Sequence, residues 1–179
     1  MNHPPAARRD LLNFIFNRRS IRAYAPGEIP EADVQLLLEA AMAAPSAVAK
    51  DPWRFVVVRD RAMREQLAAE LPNGKMLPEA ALGLVIAGDL EAAHDRQLGY
   101  LLQDCAAAIE NLLLAAHALG YGACWLGVYP RENRVRHVRQ VLGFPASILP
   151  VSIVALGHPG ERKSGRTRFN PEFVRWERW

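Results

Sequence analysis

"DRQLGYLLQDCAAAIENLLLAAHALG", residues 95–120, is the stretch on which the reading of the rest of the chain turns. Between about 94 and 119 it has the spacing of one long helix, ended by Gly120 and Gly122. It is small or apolar around most of its circumference, with Ala106, Ala107, Ala108, Ala115, Ala116 and Ala118 set among leucines and an isoleucine. A helix apolar on nearly every side must be covered on nearly every side. In a chain of 179 residues this points to a central helix packed against a second subunit, with a wholly intramolecular core helix as the alternative.

Working outward, strands and helices alternate. On the N-terminal side, PEADVQLLLEAAMAA (30–44) reads as a helix with Pro30 near its start and Val34, Leu37, Leu38 and Ala41 at helical spacing. RFVVVRD (54–60) is a short buried strand, RAMREQLAAEL (61–71) a helix and ALGLVIAGD (81–89) a second strand. Beyond the long helix come a third strand in ACWLGVY (123–129), an amphipathic helix in RENRVRHVRQVLGF (131–144) and a β-branched fourth strand in LPVSIVALGHPG (149–160). DLLNFIFN (10–17) is a short helix with Asp10 as its expected N-cap, and APGEIP (25–30) a turn. The alternation implies an α/β or α+β layered domain, a sheet covered by helices. With no repeat and no low-complexity linker, residues 1–179 form one domain, ending in a basic, aromatic arm from about 161 to 179.

Composition narrows the function classes. Half the residues are apolar and 23% are charged, the balance of a globular chain. The net charge of +3 is the small difference between 22 basic and 19 acidic residues, too little to announce a nucleic-acid binder despite a pI near 9.1. The basic residues concentrate at 18–22 and 162–168. Tyr24 is the one aromatic within the first patch, and the tail's Phe169, Phe173, Trp176 and Trp179 suit packing on a partner subunit at least as well as base stacking. Cys105 and Cys124 sit in apolar surroundings without a C-x-x-C partner and read as buried free thiols. MNHPPAARRD lacks the apolar core of a secretory leader, and no apolar run reaches membrane-spanning length, so the expected location is cytoplasmic.

The common catalytic signatures are missing: no GxGxxG after a strand, no GxxxxGK[ST] and no GxSxG. The five histidines are scattered, so no metal site is expected. Chemistry, if any, then belongs to a cofactor. RRSIRAY (18–24) offers one anchor for it: Arg18, Arg19 and Arg22, with the Ser20 hydroxyl, could surround a phosphate by charge-assisted hydrogen bonds. Standing alone, the segment would read as a solvated helix end.

It is followed by AAPSAVAKDPWRFVVV (43–58), GYGACWLGVY (120–129), LPVSIVALGHPG (149–160) and GRTRF (165–169). In that order and spacing, from about residue 14 to 168, the chain resembles the nitroreductase family of FMN-dependent homodimeric flavoproteins. The resemblance implies an α+β, nitroreductase-like three-layer sandwich: a mixed central sheet flanked by helices, with the long central helix at the dimer interface. It implies FMN held between two subunits and NADH or NADPH as electron donor. A small-molecule acceptor such as a nitroaromatic or quinone would be reduced in a ping-pong cycle at flavin N5, with no catalytic side chain.

By the same resemblance, Arg18, Arg19, Ser20 and Arg22 hold the FMN phosphate and ribityl chain, with Arg22 also reaching the flavin edge, and Arg166 and Arg168 complete the phosphate site. Pro45, Ser46 and Ala47 line the flavin from the partner subunit. Trp125, Leu126 and Gly127 lie along the ring near N5 and O4, and Lys75 approaches its pyrimidine end. Many relatives carry Asn and Gln where this chain has Ala49 and Asp51, so one polar flavin contact is missing, with Lys50 the nearest residue to replace it. Two other readings stand beside this one: the same fold with dehalogenating or flavin-fragmenting chemistry, and a non-catalytic flavin-binding module.

Overall fold

A computed structural model describes residues 9–179. Its elements are α1 (Asn13–Asn17), β1 (Tyr24–Ala25), α2 (Glu31–Met42), β2 (Trp53–Val58), α3 (Arg61–Ala68), β3 (Leu82–Asp89), α4 (Leu98–Ala118), β4 (Gly122–Gly127), α5 (Glu132–Leu142) and β5 (Ile148–Pro159). Single 3-10 turns cover Ala47–Ala49, His94–Arg96 and Pro171–Phe173. Every helix and every strand longer than two residues is legible in the sequence. The two-residue β1 is not, because it pairs only with the far end of β5, through Tyr24–Pro159 and Ala25–His158.

β5 is the hub of the sheet. It pairs with β1, β3 and β4, and β3 pairs in turn with β2. All these ladders are antiparallel, and the mixed character expected of the sheet resides in one isolated parallel bridge, Ser20 to Ala123. The period-2 alternation of strand side chains divides the core in two. Leu82, Leu84 and Ile86 of β3, with Val154 and Leu156 of β5, pack against α2 and α4, whereas Val85, Ile153 and Ala155 face α3 and α5. Three layers result: α2 and α4, the sheet, then α3 and α5.

One bulge matters for the site. Ile86 pairs with Ser152 but Ala87 with Pro150, so Val151 is an extra residue, and its side chain turns to the α4 face. Its carbonyl accepts from both Val128 N (3.2 Å) and Tyr129 N (3.1 Å), which ends β4 just after Gly127.

Capping agrees with the sequence in part. Asp60 caps α3 by accepting from Met63 N at 2.7 Å, and Gly143 takes the left-handed conformation after α5. Asp10 does not cap α1: Leu12 holds that position, and Asp10 accepts instead from Asn13 Nδ2 at 3.1 Å. On α4, Leu101, Cys105, Ala108, Ile109, Leu112 and Ala116 are fully buried within one chain, while Leu102, Ala106 and Leu114 are only half-buried, and Leu119, just past its end, is exposed.

Candidate functional site

The segment after α1 runs in extended form beside β4, fixed by Ile21 N donating to Ala123 O at 3.0 Å. Alternation buries Ile21 and leaves the side chains of Ser20 and Arg22 outside the core. The Tyr24 hydroxyl closes the segment, 2.9 Å from Ile21 O and 3.0 Å from Ala155 O, and burial raises its pKa. Two cavities open from this platform, and Arg22 lines both.

The first, of about 410 Å³, is lined by Arg18, Arg19, Ser20, Arg22, Lys163, Arg166 and Arg168, with Ile15 as its one apolar wall. It joins residues some 140 positions apart in the chain. The C-terminal segment can lie against α1 because residue 165 is glycine, where a Cβ would collide with the Asn17 side chain and lie 3.0 Å from Phe16 O. Arg166 N then donates to Phe16 O at 3.1 Å, Arg19 Nη1 donates to Ser164 O, and Lys163 Nζ donates to Ser20 O at 2.9 Å. Two carboxylates steady the cations from outside the cavity: Glu110 of α4 pairs with Arg18 at 3.3 Å, and Glu161 with Lys163 at 2.8 Å. Among the described residues no carboxylate lines the cavity itself, and its chemistry is that of a site for a compact, multiply charged anion.

The second cavity, about 550 Å³, lies between the 71–76 loop and β4. Its walls include Asn73, Lys75 and Met76 on one side, Cys124, Trp125, Leu126 and Gly127 on the other, and Arg134 from the first turn of α5. Its volume is within the range of small-molecule and cofactor sites. Gly127 is informative here: a Cβ added to it would meet no atom of the chain within 4 Å. The chain's own packing therefore does not require glycine, whereas a flat group lying on the backbone would. Cys124 is no nucleophile, since burial pushes its thiol pKa up against the pull of Arg22 and Lys163; burial likewise raises Cys105, to about 12.

Sequence reasoning assigns Arg18, Arg19, Ser20, Arg22, Arg166 and Arg168 to one site and Lys75, Trp125, Leu126 and Gly127 to its neighbour, and each residue lines the corresponding cavity. It misses Lys163 and Arg134. Lys163 stands inside the basic 162–168 patch visible in the sequence, but Arg134 is one of four arginines on or just before α5 and nothing in the sequence singles it out.

Pro45, Ser46 and Ala47 line neither cavity. They lie beyond α2 against α4, where the buried Asp104 accepts from Ala47 N at 2.9 Å. Val48, Ala49 and Asp51 all have left-handed φ, near 50°, a conformation that costs a non-glycine residue roughly 1–2 kcal/mol. Asp51 holds this turn: its carboxylate accepts from Ser46 Oγ at 2.5 Å and its N–H donates back to the same oxygen at 3.0 Å. Asp51, a departure from the family pattern, thus has a structural task within the turn.

Comparison with known proteins bears on the fold and the family. The model of the nitroreductase family matches residues 15–74 and 63–158. A protein of Archaeoglobus fulgidus, provisionally named NADH dehydrogenase/NAD(P)H nitroreductase, is 43% identical over 173 residues, covering 95% of this chain and 99% of its own. A crystal structure of a provisionally named NADH dehydrogenase/NAD(P)H nitroreductase from Parabacteroides distasonis superposes with a TM-score of 0.89 at 34% identity, over 95% of this chain and 99% of that one. A provisionally named nitroreductase of Desulfovibrio desulfuricans, solved in complex with FMN, gives a TM-score of 0.82 at 32% identity over 99% of both chains. On the family-model match and the identity to the Archaeoglobus fulgidus relative over nearly the whole chain, the chain belongs to the nitroreductase family.

Proposed function

We propose that the protein is an FMN-dependent NAD(P)H oxidoreductase acting on a small electron acceptor of the nitroaromatic or quinone type. One observation carries the reading: a cavity lined by six cations is joined through Arg22 to a larger one walled by the backbone of β4. The phosphate would lie among Arg18, Arg19, Ser20, Lys163, Arg166 and Arg168, where charge-assisted hydrogen bonds from both ends of the chain converge. The ring would lie along Trp125, Leu126 and Gly127, the glycine permitting close backbone approach. When bound, FMN supplies the chemistry: it takes up a hydride from NAD(P)H and passes the electrons to the acceptor. Arg22 and Lys75 hold positive charge beside the pyrimidine edge and favour the reduced, more anionic form. None of these side chains has to donate or accept a proton in this reading.

The working form is a homodimer in this reading. Leu11, Leu12, Phe14 and Ile15 near α1 are each more than 40% exposed, and Phe169, Phe173, Trp176 and Trp179 of the arm are each at least 75% exposed, apolar surface that a second subunit would cover. The half-open face of α4 adds to it. The strained 45–51 turn, which lines neither cavity of its own chain, would serve the flavin of the partner subunit. Buried free thiols at Cys105 and Cys124 suit a reducing, cytoplasmic setting. Among the described residues no helix is long and apolar enough to cross a membrane.

The visible spectrum of the purified protein, supplemented with FMN, tests the reading. Flavin bands that bleach under anaerobic NADH or NADPH and return on adding a nitroaromatic or quinone are expected. A protein that binds no FMN would sink it.

A further inference from the structure

The larger cavity contains one more cation than the proposed chemistry uses. Arg22 is shared with the phosphate site, and Lys75 serves the flavin edge. Arg134 has no such task. Among the described residues it forms no ion pair, whereas Arg18, Arg54, Arg59, Arg61 and Arg96 each do. Its guanidinium donates from Nη1 to the carbonyl of Gly127, at 2.9 Å. That tether places the guanidinium at the C-terminal end of β4, while Arg22 follows Ile21, whose N–H donates to Ala123 O at 3.0 Å, and so lies by the start of the strand. Strands rise about 3.3 Å per residue, so the three steps from Cys124 to Gly127 separate the two ends of the cavity by roughly 10 Å.

A guanidinium has five N–H donors in a fixed fork. With one on Gly127 O, the others remain for a partner, and a guanidinium already oriented by a backbone carbonyl loses little freedom on binding a planar anion in two-pronged fashion. Among the described residues no Asp or Glu lines the cavity to compete for it. We propose that Arg134 is a specificity-determining residue that selects acceptors carrying a carboxylate, holding the anionic group at the Gly127 end of the cavity with the reducible group directed inward. This rests on the oxidoreductase reading given above and names the substrate class of that site. A charge-assisted hydrogen bond contributes enough to predict a preference of about 10- to 100-fold for an anionic acceptor over its neutral isostere.

The FMN-loaded protein and its Arg134→Gln variant are compared with para-nitrobenzoate and para-nitrobenzamide, which share a ring and differ in charge. The wild type should favour the benzoate in kcat/KM, and the variant should lose that preference by about tenfold or more, most of it in KM. Arg134→Lys should recover part of it. Calorimetric binding of benzoate, which is not reduced, gives a second readout: the wild type binds it, and Arg134→Gln binds it at least tenfold more weakly. If NAD(P)H fails to bleach the flavin while benzoate still binds through Arg134, the oxidoreductase reading falls and the anion site stands. An unchanged benzoate-to-amide ratio, or no benzoate binding by the wild type, overturns the proposal. So does a tenfold loss of FMN affinity in Arg134→Gln, which would assign the guanidinium to the flavin. A variant that slows flavin reduction by NADPH alone, with NADH and both acceptors unaffected, would assign it to the donor's phosphate and overturn the acceptor role equally.

Discussion

The two cavities that meet at Arg22 are built on opposite principles. One is made of charge: six cations drawn from residues 18–22 and 163–168, steadied from behind by Glu110 and Glu161. The other is made mostly of backbone and shape, with Gly127 open to the space and Trp125 laid beside it, 40% exposed. A site of the first kind tolerates the repositioning of any one side chain, because several cations share one anion. A site of the second kind depends on the absence of atoms, and a single methyl group can spoil it. The two should therefore fail differently when altered.

Arg22 tests the first half of the contrast and should give the largest effect. Among the described residues it is the one cation that lines both cavities, so Arg22→Ala removes a charge from both together. At about 1.5–3 kcal/mol for a hydrogen bond to a charged group, FMN affinity should fall by roughly 10- to 100-fold. Arg168→Ala, which touches only the charged cavity, should cost less. Fluorescence titration of FMN at two salt concentrations checks both, and losses of equal size would show that Arg22 does not bridge the cavities. Wild-type affinity should itself weaken with salt, because the contacts are partly exposed ion pairs.

Two glycines sharpen the second half. At Gly88 a Cβ would collide with Leu101, whose Cγ lies at 2.5 Å, so Gly88→Ala overpacks the core and should cost about 1–3 kcal/mol of stability. In a domain of this size each kcal/mol lowers Tm by about 2–4 °C. At Gly127 the same methyl meets nothing in the chain. Gly127→Ala should therefore leave the melting temperature of the FMN-free protein where it was and weaken FMN binding by about tenfold, the low end of an overpacking cost. Should both variants lower Tm alike, glycine at 127 would be a requirement of the fold and the backbone platform would lose its support.

The same division explains what can be read in the sequence. Charged contacts announce themselves as local clusters, so RRSIR and GRTR stand out in the chain itself, although 140 residues separate them. Strand and helix periods place the layers. The Val151 bulge is invisible there, because LPVSIVAL looks like uninterrupted strand and only pairing with β3 shows that one residue is extra. Arg134 is hidden for a similar reason: Arg131, Arg134, Arg136 and Arg139 crowd on and just before α5, and only the packing of the helix decides which faces the cavity. The 45–51 turn is half legible. The motif singles it out, but its left-handed residues and the Ser46–Asp51 clamp carry no glycine or asparagine signal at Val48 or Ala49.

The smallest expected effect concerns how the charged cavity is held closed. Glu161 accepts from Arg22 N at 2.6 Å and from Lys163 Nζ at 2.8 Å. These bonds, that from Lys163 foremost and then that from the Arg22 amide, hold its carboxyl below the ordinary glutamate value of 4.5. A carboxyl whose folded pKa is depressed contributes stability in full above its unfolded pKa and loses it as pH falls through the folded value. The stability difference between the wild type and Glu161→Gln should thus be constant from about pH 7 to 5 and close progressively below about 4.5. Because the pair is partly exposed, the difference should be only about 0.2–1 kcal/mol, a shift of a few degrees at most in Tm. Thermal melts of both proteins across that range check it. A gap that persists at about pH 3, well below the ordinary range, would mean that the C-terminal segment is anchored by the fit of Gly165 against Asn17 rather than by charge. The charged cavity would then owe its walls to the same shape-dependence as its neighbour.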